Sequence, residues 1–184
     1  MSKPLAASSL LILATLACAI SLGGPKPPGD PIPVSKEAAD ELKHIWESAT
    51  LNPVDGEIQV ILTEEQLTSY VALRLAADPD PLIQDPQVYL RDDQIQVYGD
   101  VRNGNFTAKA LVKLLASVDP DGKPDFAVTE ADFGPLPVPK ALLSALSVSL
   151  NEAFTGQFGT VATGIKITTL AIANGEMAIV GRLR

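Results

Sequence analysis

The chain has 184 residues and a formal net charge of -8, from 14 Lys and Arg against 22 Asp and Glu; it is 46% hydrophobic but only 5% aromatic. That length holds one domain and a tail, and the acidic balance excludes a nucleic-acid partner, whose phosphates are neutralised by Lys and Arg. One His and one Cys exclude a disulfide framework, a Cys-type zinc site and a cluster of His ligands, so neither a metal nor a cofactor is expected.

Residues 1–22 read as a signal or an N-terminal anchor. A short n-region, Met1 to Pro4, precedes an apolar run from Leu5 to Ala17. The run is about as long as a signal-peptide h-region and short for a membrane span. It ends in Leu13-Ala14-Thr15-Leu16-Ala17-Cys18, which resembles the bacterial lipobox, with Thr15 where Leu is usual. That resemblance implies cleavage before Cys18 and lipidation of its thiol. An uncleaved anchor from Leu5 to Leu22 and ordinary signal-peptide cleavage are the other two readings. Residues 23–34 follow as a linker: in Gly23 to Pro33 eight of eleven residues are Pro or Gly. Such a segment favours extended polyproline II and would reach roughly 35 Å as a stalk. With the one Cys in the signal, the folded domain is thiol-free, which suits an exported protein.

Residues 35–184 read as one α+β domain. Ser35 can cap a helix to about Leu51, with Ala38, Leu42, Ile45, Trp46 and Ala49 in one apolar stripe. Glu57 to Leu62 alternates as a strand. Thr63-Glu64-Glu65-Gln66 is a capping box opening a second helix to about Ala77, with Leu67, Tyr70, Val71 and Leu75 inward. Strands then succeed one another. Gln87 to Arg91 and Gln94 to Val101 form a hairpin, Phe106 to Val118 alternates for 13 residues, and Asp119-Pro120-Asp121-Gly122 turns it into Asp125 to Phe133. A strand of 13 residues spans roughly 44 Å. Pro139 opens a third helix to about Thr155, apolar at Leu142, Leu143, Leu146, Leu150, Ala153 and Phe154. A last hairpin, Gly164 to Ala173 and Glu176 to Leu183, turns at Asn174-Gly175. The expected fold is therefore a long, twisted antiparallel sheet packed with about three helices.

No motif for covalent chemistry emerges. His44 lies on the first helix with no Gly-x-Ser-x-Gly turn in the chain, and no phosphate loop occurs. Asp119, Asp121, Asp125 and Glu130 match four positions of a calcium loop, but Pro124 stands where that loop needs Gly and Lys123 brings a cation, so a hairpin turn explains them better. No pair of carboxylates stands out for hydrolysis. What remains is apolar. Phe106, Ala108, Ala110, Val112 and Leu114 share one face of the long strand, and small residues there let a helix approach closely or leave a groove. With Leu142, Leu146, Leu150 and Phe154 of the third helix they are the candidate ligand-binding groove. The opposite face, Lys109, Leu111, Lys113 and Leu115, is mixed and could lie on a lipid surface.

The strand-to-helix junction Thr63 to Leu67 and the hairpin Ile172 to Ile179 resemble those of small exported bacterial proteins of the YpmS-like and LmeA-like kind. That resemblance implies lipid binding in a groove-like or tubular α+β domain. The expectation is a non-enzymatic, membrane-tethered extracytoplasmic protein with an apolar ligand, a lipid. The alternative is a structural or interaction lipoprotein of the cell envelope with no small-molecule ligand. The sequence names no protein partner.

Overall fold

The computed structural model describes residues 20–21, 23–79, 81, 83–103, 106–135, 138 and 165–183. Their elements in chain order are β1 (Ile20–Ser21), α1 (Lys36–Leu51), β2 (Glu57–Thr63), α2 (Glu64–Ala76), β3 (Gln84–Arg91), β4 (Gln94–Asn103), β5 (Phe106–Val118), β6 (Pro124–Asp132), β7 (Ile165–Ala173) and β8 (Glu176–Leu183). The fold is α+β, as expected. The expected third helix, with Leu142, Leu146, Leu150 and Phe154, lies outside the described residues, as does Cys18.

Local chemistry accounts for the boundaries. Ser35 Oγ accepts from the Ala38 N–H at 3.1 Å and starts α1. Both bonds of the Thr63–Gln66 capping box are present at the start of α2. Asn174 and Gly175 both take positive φ, 53° and 82°, as the two-residue β7–β8 turn demands. Asp92 and Asp93 do the same between β3 and β4, at 54° and 58°, a conformation that Asp tolerates better than bulkier residues.

The strands divide into two sheets where the sequence suggests one. The larger has the order β1-β5-β4-β3, with β6 also on β5; the smaller has the order β2-β8-β7. All pairs are antiparallel except β1, which runs parallel to β5 through Ile20–Phe106 and Ser21–Thr107. β2 pairs with β8 from Glu57–Arg182 to Thr63–Glu176. Alternation tells which face of β2 is buried but not which distant strand it meets, so the sequence could not separate the sheets.

One core joins them. Leu42 and Trp46 of α1, Val60 and Leu62 of β2, Leu67 of α2, Val88 and Leu90 of β3, Ile95 of β4, Val112 and Leu114 of β5, and Met177 of β8 are all nearly or wholly buried within it. Each large aliphatic side chain so placed contributes roughly 2 kcal/mol relative to exposure.

The Pro/Gly-rich segment is not a free stalk but a strap laid across the outer face of the larger sheet. The Gly23 carbonyl accepts from the Lys109 N–H at 2.9 Å. The Tyr89 hydroxyl donates to the Asp30 carbonyl at 2.9 Å, and the Gln87 amide brackets Ile32, accepting from its N–H at 2.6 Å and donating to its carbonyl at 3.2 Å. Ile32 packs on Tyr89, Tyr98 and Leu111, whose two rings meet edge-on with centroids 5.7 Å apart. Proline dictates the extended backbone; the ends of these bonds lie on residues more than fifty positions away.

Candidate functional site

The five expected groove residues of β5 differ in their surroundings. Ala108, Ala110, Val112 and Leu114 are at most 1% exposed, whereas Phe106 is 45% exposed. Ala110, Val112 and Leu114 belong to the common core. The other half of the expected groove falls outside the described residues.

The mixed face of β5 is not free to lie flat on a lipid surface. Leu111 is buried beneath Ile32 of the strap, Lys109 pairs with Asp100 at 2.8 Å, and Lys113 pairs with Glu130 at 2.7 Å. The Glu130 carboxylate and its charge hold the Lys113 ammonium above the ordinary lysine range. With Glu130 engaged there and Asp119 Oδ1 accepting from the Lys123 N–H at 2.8 Å, the four acidic residues of the calcium count serve a hairpin and its flanking strands. Among the described residues no group of three His, Cys, Asp or Glu side chains could hold a metal ion. His44 is largely exposed on α1, 3.8 Å from Glu47.

A pocket opens elsewhere, along the seam between α2 and β3. Helix and strand run antiparallel there, and four helical residues advance about 6 Å while two strand residues advance about 7 Å. Residues four apart on α2 therefore meet residues two apart on the free edge of β3. Glu64 Oε1 accepts from the Leu90 N–H at 2.7 Å and pairs with the Arg91 guanidinium, which also lies 5.9 Å from the centre of the Tyr89 ring. One rung on, Thr68 Oγ1 accepts from the Val88 N–H at 2.9 Å and donates to its carbonyl at 3.3 Å. The edge of β3 is thus capped by side chains, which keeps it from pairing with another chain.

At the next rung the capping stops. The α2 residue is Ala72, with nothing to reach across, and the β3 residue is Pro86, which has no N–H to satisfy. A bulge between Gln84 and Gln87 widens the gap further. Asp85 within it has a φ of 48°. The result is an open pocket of about 500 Å³. Val34 from the strap, Ala72, Leu73, Leu75, Pro81 and Ile83 supply its apolar lining, and Asp78, Gln84, Asp85 and Gln87 supply polar groups. Gln84 Oε1 also accepts from Arg102 at 3.2 Å. Gly99 lets β3 come down onto β4 here, since a Cβ would overlap the Ile83 side chain and approach the Gln84 carbonyl to 2.8 Å.

Sequence reasoning missed this pocket. The signal that could have found it is the spacing Glu64, Thr68, Ala72, Ala76, a row at helical repeat that passes from polar to small against a strand interrupted by proline. Neither a protein-family model, nor a curated protein, nor a solved structure matches the chain significantly.

Proposed function

We propose that this protein is an exported domain held at the extracytoplasmic face of a membrane by its N-terminus, and that it binds an apolar ligand, a lipid, without performing chemistry on it. The α2–β3 pocket carries the reading. Its volume of about 500 Å³ falls within the range of roughly 300–1,000 Å³ usual for small-molecule sites, and an apolar wall with a few polar groups is the usual form of such sites. Asp78, Asp85 and Gln84 suit the polar end of an amphiphile whose chain lies on Leu73, Leu75 and Ile83. The apolar run Leu5 to Ala17 and the lipobox-like end at Cys18 support the tether. The resemblance to exported lipid-binding proteins points the same way.

Native mass spectrometry of the protein extracted from membranes tests the ligand, together with titration by a fluorescent fatty acid. A co-purifying apolar mass and saturable uptake are expected. Ala72→Trp, which fills the pocket from the half-buried seam side of α2, should lower uptake at least tenfold with the thermal midpoint retained. A protein that emerges empty and takes up no fatty acid overturns ligand binding. Uptake unchanged by Ala72→Trp removes this pocket as the site.

A further inference from the structure

We infer that the domain seats on the bilayer by the end of the larger sheet at which β1 enters, so that the α2–β3 pocket opens at the membrane surface and draws its ligand from the adjoining leaflet. This rests on the tethered, ligand-binding reading above and adds an orientation to it. β1 occupies the first two rungs of β5, Ile20 beside Phe106 and Ser21 beside Thr107. Ile20 stands two residues after Cys18 and three after Ala17, where the apolar run ends. Lipid on Cys18 therefore places the bilayer within a few residues of β1. Three residues span at most about 10 Å. The segment that could have served as a spacer lies on the far side of β1 in the chain, and its first residues are already bonded to β5 through Gly23 and Lys109. No slack separates the sheet from the membrane.

The pocket lies at this same end. Gln84 of its rim is the rung partner of Asp100, and Asp100 of Lys109, three residues along β5 from Phe106. Two strand spacings across and three residues along put Gln84 roughly 15 Å from Phe106. The surface here is apolar where it need not be. Phe106 is 45% exposed, and Val34 and Leu73 on the pocket wall are 47% and 43% exposed. The opposite end of β5 turns through Asp119, Asp121, Lys123 and Asp125, a polar tip suited to water. Since the protein as a whole is acidic, attraction to anionic headgroups does not seat it; insertion of apolar side chains beside a covalently fixed entry point does.

The test uses the full chain, carrying its own N-terminus, in phosphatidylcholine vesicles. In the chain whose own Cys18 thiol is blocked by lipid, cysteines replace Phe106, Leu73 or Leu115 one at a time, each bearing an environment-sensitive fluorophore. Leu115 is the matched control: it is 44% exposed on the same strand as Phe106 but about 30 Å along it. Headgroup-spin-labelled lipid should quench the labels at 106 and 73 several-fold more than the label at 115. Quenching at 115 equal to or stronger than that at 106 overturns the orientation. A chain that washes off the vesicles overturns the tether and the orientation together. Retained quenching at 106, a position outside the pocket lining, in a chain that takes up no fatty acid overturns the ligand and the pocket's supply from the leaflet, and leaves the seating standing.

Discussion

Thr68 has no exposed surface and sits midway along α2, where a hydroxyl gains nothing for the helix itself. Its value lies across the seam, where the one Oγ1 serves both the N–H and the carbonyl of Val88. Thr68→Val keeps the shape and removes the oxygen, leaving two buried backbone groups unpaired at a cost of about 2 kcal/mol or more. Thr68→Ser keeps the oxygen and loses a methyl, for about 1 kcal/mol. Urea melts should therefore rank wild type above Ser and Ser above Val, with unchanged slopes. A Val variant as stable as the Ser variant would show that water reaches Val88 and that the seam is not sealed at this rung. From sequence, Thr68 is one polar residue beside an apolar stripe. Its role depends on the bulge and edge position of β3, which no pattern within α2 records.

At the scale of elements, legibility followed the range of the forces involved. Caps at Ser35 and Thr63, the Asn174-Gly175 turn and the 13-residue alternation of β5 are set by neighbours within a few residues, and each element forms within a few residues of where those signals put it. The strap was legible only as extended backbone. Its docking depends on Tyr89, Gln87 and Lys109, and on Gly24, whose φ of 135° is closed to other residues and whose missing Cβ would collide with the Lys109 carbonyl. Gly24→Ala should accordingly lift the start of the strap from β5 while leaving both sheets folded. Hydrogen exchange is the direct measure: the Lys109 and Ile32 amides should lose protection, whereas Val88 and Leu90, capped by α2, should keep theirs. Protection unchanged at Lys109 would mean that the strap tolerates the clash by shifting, and that Gly24 is not its fastening point.

For the whole molecule, the apolar content is divided between two sheets and two described helices around one core, and a second, smaller cluster lies under the strap. This division places all three tyrosines of the chain out of solvent: Tyr70 against the main core, Tyr89 and Tyr98 beneath Ile32. Burial pushes each phenol above its ordinary value near 10, and the Glu64 carboxylate adds to the shift at Tyr89. A raised native pKa means that the unfolded chain releases its protons first. The stabilisation is then complete below pH of about 10 and is lost as pH climbs through the raised native values. Ionising Tyr89 also removes the proton that it donates to the Asp30 carbonyl, so the strap should loosen in the same window. With no exposed tyrosine to mask the signal, tyrosinate absorbance should appear in one cooperative step together with loss of near-ultraviolet dichroism. Tyr89→Phe should move that step to higher pH. In Gly24→Ala, where the cover over Tyr89 and Tyr98 is loosened, part of the absorbance should instead rise near pH 10 ahead of unfolding. Simple titration of all three phenols near pH 10 in the wild type, with dichroism intact, would contradict their burial and with it the docking of the strap.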